Sequence, residues 1–467
     1  MSCTARKVRS HCEGAPRPKQ SGGQEHQATG SPRRPFGLLA MTTKVGRPVA
    51  TAKVAAFLLG IATLAVPAWA QTVAITGGTI YPVSGPKIEH GTLLLSDGRI
   101  AAIGNATVDI PAGARRVDAT GKWITPGLIH GGSTLGLKLF DTGAQLETQE
   151  DTASGDVKAA FNVAEGIDPA SMAIPVARQE GVTSAITKPA VGLIPGQAVL
   201  IDLAGARIED MVARSPVAMM VDLGQGGKEA GGGSRARALQ RFRRILRDAL
   251  EYERRREDFR KAQMQPLAAS AEDLEALLPV LRGRLPVFVI ANRRSDIENA
   301  LRVAGEFDLR LTIWGGAEGW QVAPELARAR VPVVLEPLTD VPRFDALNAR
   351  LDNATLLWKA GVKVAVAQQD AAHFRNLRQA AGNEVRNGMS WDEALRSVTL
   401  STAEAAGVAD RYGSLEVGKV ANVVVWSGDP LEFSSRAEHL FIRGRDIPLV
   451  SRQTELLERY RTLPPKY

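Results

Sequence analysis

The stretch Gly121-Lys122-Trp123-Ile124-Thr125-Pro126-Gly127-Leu128-Ile129, running into His130-Gly131-Gly132-Ser133-Thr134, separates two kinds of text. Before it, from Val73 to Asp118, lie short β-type runs broken by turns. Thr79–Tyr81, Thr92–Leu95 and Arg99–Ile103 are the runs, and Asp97-Gly98 between the last two is a hairpin signal. After it, near-continuous apolar or β-branched runs recur: Val182–Thr187, Val217–Val221, Pro286–Ile290, Leu309–Trp314, Val331–Leu335 and Val362–Ala367. Helical patterns such as Asp296–Phe307 and Trp391–Leu400 follow several of them. Strands apolar on both faces belong in a parallel sheet covered by helices, and this many β-then-α units predicts a barrel. The β-type text returns at Asn422–Trp426 and Leu440–Arg443. The predicted fold class is α/β: a (β/α)8 TIM-type barrel over 124–410, plus a small composite β-sandwich made from N- and C-terminal segments, 71–123 and 411–450. Residues 451–467 form a C-terminal helix or tail.

Charge and cysteine usage narrow the function classes. The chain of 467 residues carries +8, but residues 1–70 hold ten Lys/Arg against two acids. Residues 71–467 are then neutral, with 48 basic and 48 acidic side chains, which argues against a nucleic-acid-binding surface. Residues 1–40 lack periodicity and read as a non-native or disordered extension. From Met41 a basic stretch, the apolar run Val54–Val66 and Ala68-Trp69-Ala70 make up a secretory signal peptide over 41–70. The run is too short to span a bilayer, so the expected location is periplasmic or secreted, without stable membrane insertion after cleavage. Both cysteines, Cys3 and Cys12, precede the cleavage point, so the mature chain has no thiol or disulfide. The stretch Ser234–Lys261 predicts an amphipathic helix with Leu239, Phe242, Leu246, Ala249 and Leu250 as its buried stripe; its interleaved Arg and acids read as a solvated, salt-bridged face.

The phrase Gly121–Ile129 resembles the approach to the first barrel strand in the amidohydrolase superfamily. Gly78-Thr79-Ile80-Tyr81 and Asp97-Gly98-Arg99-Ile100-Ala101-Ala102-Ile103-Gly104 are similar to that family's N-terminal β-module. Ala394-Leu395, Ser401-Thr402-Ala403 and Gly413-Ser414-Leu415-Glu416-Val417-Gly418-Lys419-Val420-Ala421-Asn422 resemble its closing signature. The likeness runs over about 72–450, nearest to the imidazolonepropionase- and prolidase-like secreted branch. It implies a metal-dependent hydrolase of C–N bonds, with zinc or another divalent ion held at the C-terminal strand ends.

Laid on those strand ends, the resemblance implies a loss. The family's Asp-x-His-x-His falls on His130–Thr134, so Gly132 and Thr134 replace both imidazoles. The bridging Lys or Glu of strand four falls near 217–225, where Met219, Met220 and Gln225 stand. The histidines of strands five and six fall on Ile290 and Gly315. Only the strand-eight acid persists, as Asp370, the single catalytic candidate. The four histidines after residue 70 are His90, His130, His373 and His439; His90 and His439 fall in the β-module. No metal is therefore expected, apart from a remnant set of His130, Asp370 and His373. Lys188, placed after strand three, and Glu318, after strand six, are further expected lining residues.

Two functions stay open at this point. One is an exported hydrolase of peptide-like or non-peptide C–N bonds. The other is a catalytically inactive pseudoenzyme that binds a small-molecule or peptide ligand, or serves as a partner subunit in a homo-oligomer or with a paralogue. No cofactor is predicted.

Overall fold

The structure is a computed structural model that describes residues 72–137, 155–368 and 374–462. The stretch from Gly121 to Thr134 is where its two sheets meet. Trp123–Pro126 (β5) belongs to the first sheet, Leu128–Ser133 (β6) to the second, and only Gly127 lies between them. A Cβ at Gly127 would stand 2.1 Å from Oγ1 of Thr183, so a side chain has no room at this joint.

The first sheet has eight strands from both ends of the chain. Val73–Ile80 (β1), Ile88–Ser96 (β2), Arg99–Gly104 (β3) and Arg115–Asp118 (β4) join β5 from the N-terminal side. Val423–Trp426 (β14), Ala437–Ile442 (β15) and Arg445–Asp446 (β16) join from the C-terminal side. The order is β16-β15-β14-β5-β1-β2-β3, with β4 beside β1. The composite module is thus one continuous sheet. Its central pair, β5 against β14, ties the two chain ends together in antiparallel register.

The second sheet also has eight strands and almost closes into a barrel. After β6 come Val182–Thr187 (β7), Gly196–Asp202 (β8), Val212–Asp222 (β9), Val287–Ala291 (β10), Leu311–Gly315 (β11), Val333–Leu335 (β12) and Val364–Val366 (β13). β13 comes back beside β6, where a Cβ at Gly131 would lie 3.1 Å from the carbonyl of Val366. β8 runs antiparallel to both β7 and β9; the other pairings along this sheet are parallel, as β-then-α text requires. That strand corrects one expectation. Val182–Thr187 is the second barrel strand, so Lys188 follows strand two, not strand three, because β8 returns without an intervening helix.

Alternation along the strands separates two cores. Ile129, Ile186, Met220, Phe288, Trp314, Val334 and Ala365 pack inside the barrel. Leu128, Ala185, Met219, Val289, Ile313, Val333 and Val366 pack outward under the helices. The long helix of this outer layer spans Arg235–Arg254 and is capped by Ser234, whose hydroxyl accepts from the Arg237 N–H. It buries Ala238, Phe242, Ile245, Leu246 and Ala249, whereas Leu239 and Leu250 are only half-buried; the turn breaks at Arg255, before Lys261. Its exposed face carries ion pairs such as Arg254–Glu251 and Arg244–Asp248.

The sheet is fixed to the barrel by a buried polar joint. Asp202, at the end of β8, accepts from Ser184, Asn422, Tyr412 and Arg443, the last at 2.6 Å. Among the described residues, no helix is long and apolar enough to cross a membrane.

Candidate functional site

The inward rows of the barrel strands end in polar residues. One step beyond Ile186 on the inner face stands Lys188; beyond Met220, Asp222; beyond Ile290, Asn292; and beyond Val334, Glu336. All four lie at C-terminal strand ends, the mouth at which barrel active sites form. With Trp314 and Gly132 they make up the candidate site.

Lys188 is its electrostatic centre. The side chain is buried, and its ammonium lies 4.3 Å from the centroid of the Trp314 ring, in cation–π contact. The same charge acts on Asp222 and Glu336, favouring their ionised forms. Burial opposes it and prevails. The Asp222 carboxyl is pushed up to about 6, although backbone N–H groups of Gly224 and Gly227 bond to it. Burial, together with the Asp340 charge, drives the Glu336 carboxyl well above the ordinary range. Asp340 is likewise raised, to about 6, with Asn353 donating to it at 3.1 Å. Three buried polar atoms here have no hydrogen-bond partner among the described residues: Nε1 of Trp314, Oδ1 of Asn292 and Oε1 of Glu336.

The two glycines at expected ligand positions are spatially committed. A Cβ at Gly132 would stand 2.6 Å from Nε1 of Trp314 and 3.5 Å from Cδ of Lys188. Gly315 has a φ of +99°, in the left-handed region, and a Cβ there would stand 2.5 Å from Oδ1 of Asn292. Neither position has room for an imidazole. Among the described residues, no three His, Cys, Asp or Glu side chains converge as a group able to hold a metal. The described residues do not fit the divalent ion that the resemblance implies.

The remaining candidates are distributed as follows. Asp370 and His373 lie outside the described residues. His130 pairs in register with Ala185, just before an irregularity in β6 between His130 and Ser133. Its ring is fully buried; Nδ1 accepts the Gly132 N–H at 3.3 Å, and Nε2 has no partner among the described residues. Burial and the Lys188 charge lower it to about 3, so it is a neutral imidazole at physiological pH. Glu318 is buried and accepts from the backbone of Arg294 and of Asn348, both at 2.9 Å, which makes it a loop anchor. In the composite sheet His439 contacts Asp446 and His90 is exposed. Sequence reasoning missed Asp222, Asn292 and Glu336. The signal was there: each stands two residues beyond an inward apolar residue of a predicted strand.

A sequence profile described as "Amidohydrolase family" matches residues 336–450, from the end of β12 through the closing strands. The chain is 25% identical over 389 residues to the amidohydrolase tasK of Hapsidospora irregularis, covering 76% of this chain and 39% of that protein. It therefore spans well under half of that relative's length. It is 26% identical over 368 residues to the imidazolonepropionase of Acidiphilium cryptum, covering 74% of this chain and 89% of the relative. Among solved structures, an amidohydrolase from Thermotoga maritima superposes with a TM-score of 0.73 at 25% identity, over 81% of this chain and 100% of that one. Together with the barrel and the composite sheet, these matches make the chain similar to proteins of the amidohydrolase superfamily.

Proposed function

We propose that this protein is an amidohydrolase-fold binding protein whose mouth has exchanged metal-dependent hydrolysis for a metal-free polar chamber. The observation that carries this reading is the packing of Trp314 against Gly132, beneath the ammonium of Lys188. The indole fills space that a ligand imidazole at 132 would need. The ammonium supplies, from the chain itself, positive charge facing Asp222 and Glu336. An ammonium cannot do a metal's work: it has no open coordination position at which to make a hydroxide.

What the chamber can do is bind. Its indole N–H is a donor and the oxygens of Asn292 and Glu336 are acceptors, all without a partner among the described residues. Leaving such groups unpaired in a buried site costs about 1–3 kcal/mol each, so a ligand that pairs them gains that much. A small molecule offering an acceptor next to a donor, as an amide does, matches the set. We further propose that the chain is exported by the leader at 41–70 and acts there as a ligand-binding or partner subunit; that leader lies outside the described residues.

Turnover tests the reading. Purified chain, supplemented in turn with zinc, manganese and chelator, is assayed on dipeptides and hydantoin-like amides, and the same compounds are titrated by calorimetry. Binding without metal-dependent hydrolysis is expected. Hydrolysis that zinc restores and chelation abolishes would overturn it.

A further inference from the structure

The segment after β12, residues 336–352, has its polarity turned inside out. Glu336 and Asp340 are buried, and Asp345 and Asn348 are tied to the barrel by hydrogen bonds. Asp345 pairs with Arg235, which also bonds Asp296, and Asn292 donates to Asp345 at 3.5 Å. Asn348 donates to the buried Glu318 from both its backbone and its side chain, at 2.9 and 3.3 Å. Its carbonyl accepts from the Trp320 indole at 2.8 Å. Ala346 and Ala349 are buried against Ala317. The large apolar side chains face water instead: Phe344 is 100% exposed, Leu347 65% and Leu351 56%, with Val341 and Leu338 exposed beside them in sequence.

The anchors make this arrangement a fixed one. With Ala346 and Ala349 buried and Asp345 and Asn348 held by their hydrogen bonds, Phe344, Leu347 and Leu351 are left on the outward side. A fully exposed Phe presents roughly 200 Å², so the five residues together offer on the order of 500 Å² of apolar surface. That is at the upper end of what a monomer leaves open. A standard interface buries about 800 Å² per partner, roughly 65% apolar in homodimers, and this patch with its polar rim meets that requirement. The rim also carries both signs side by side: Arg350 with Asp352 at 2.7 Å, and Arg294 with Glu298 at 2.8 Å. A second copy turned about a two-fold axis can set acid against base without net repulsion.

We infer that residues 338–351 form the contact between two copies of this chain, packed Phe344 to Phe344 about a two-fold axis beside the barrel mouth. This does not depend on what the mouth binds. Analytical ultracentrifugation of the purified chain is expected to show a dimer at micromolar concentration. Phe344→Asp puts a charge at the centre of the contact and should raise the dissociation constant at least about 30-fold. Phe433→Asp, at a residue 83% exposed between β14 and β15, should leave it unchanged. Because Phe344 is fully exposed, its variant keeps the wild-type circular dichroism spectrum and a cooperative unfolding transition, which separates lost contact from lost fold. A wild-type monomer at all concentrations would overturn the inference. So would a dimer that survives Phe344→Asp, one that Phe433→Asp dissolves equally, or a monomer that sediments with phosphatidylglycerol vesicles through Phe344.

Discussion

Adding one methyl group at Gly132 should destabilise this protein, against the usual trend for glycine. Gly→Ala at a backbone position open to alanine ordinarily stabilises by about 0.4–1 kcal/mol, through the unfolded state. Gly132 is not in the left-handed region, so the backbone raises no objection. The objection is Trp314. A Cβ 2.6 Å from Nε1 is far inside van der Waals contact, and the neighbour is a rigid, buried ring system held under an ammonium. Overpacking of this kind costs about 1–3 kcal/mol, so Gly132→Ala should lower stability by about that amount. Trp314→Phe removes Nε1 and leaves a cavity, costly by itself, yet in that background Gly132→Ala should become neutral or stabilising. The coupling in the double-mutant cycle should be about 1–3 kcal/mol. Urea unfolding at pH 7 reads it as a shift in midpoint at constant slope. A Gly132→Ala variant as stable as wild type, or one equally costly when combined with Trp314→Phe, would refute the claim that the indole occupies the vacated ligand space.

Two further outcomes follow from the buried charges. Lys188→Met leaves Asp222 and Glu336 buried without the charge that favours their ionised forms. Its cost in urea unfolding should approach about 3 kcal/mol at pH 8 and shrink at pH 5, where the Asp222 carboxyl, at about 6, takes up a proton; an equal cost at both pH values would contradict it. Glu384 is buried and raised from 4.5 to about 7, mainly by burial. A carboxyl raised on folding contributes stability that is full below its ordinary value and is lost as pH climbs through the folded one. Glu384→Gln should therefore match wild type near pH 4.5 and gain on it by about 3 kcal/mol by pH 8; parallel stability curves for the two proteins would rule this out.

The barrel was legible because its parallel strands, covered on both faces, are written as unbroken apolar runs such as Val182–Thr187 and Val217–Val221. Gly196–Asp202 escaped because it returns from β7 without a helix between, so the β-then-α rhythm skips it. That omission misnumbered the strand before Lys188. In the mouth, that glycines stand at 132 and 315 could be read directly. What fills their places could not, since Trp314 and Lys188 approach Gly132 from two other strands, and only closure of the barrel brings them there. Asp222 and Glu336 were within reach of strand alternation, counted on from Met220 and Val334. A search for lysine at strand four passed over Asp222. The outward Phe344, Leu347 and Leu351 carry no sequence signal, because their direction is dictated by the polar partners of the residues between them.

On this reading the mouth is held together by an indole and an ammonium, with no divalent ion. Native mass spectrometry of the purified chain after incubation with zinc measures this most directly. The metal-free mass, with well under one ion per chain, is expected for wild type. One tightly held zinc per chain, lost on substituting Asp222 or Asp370, would contradict it.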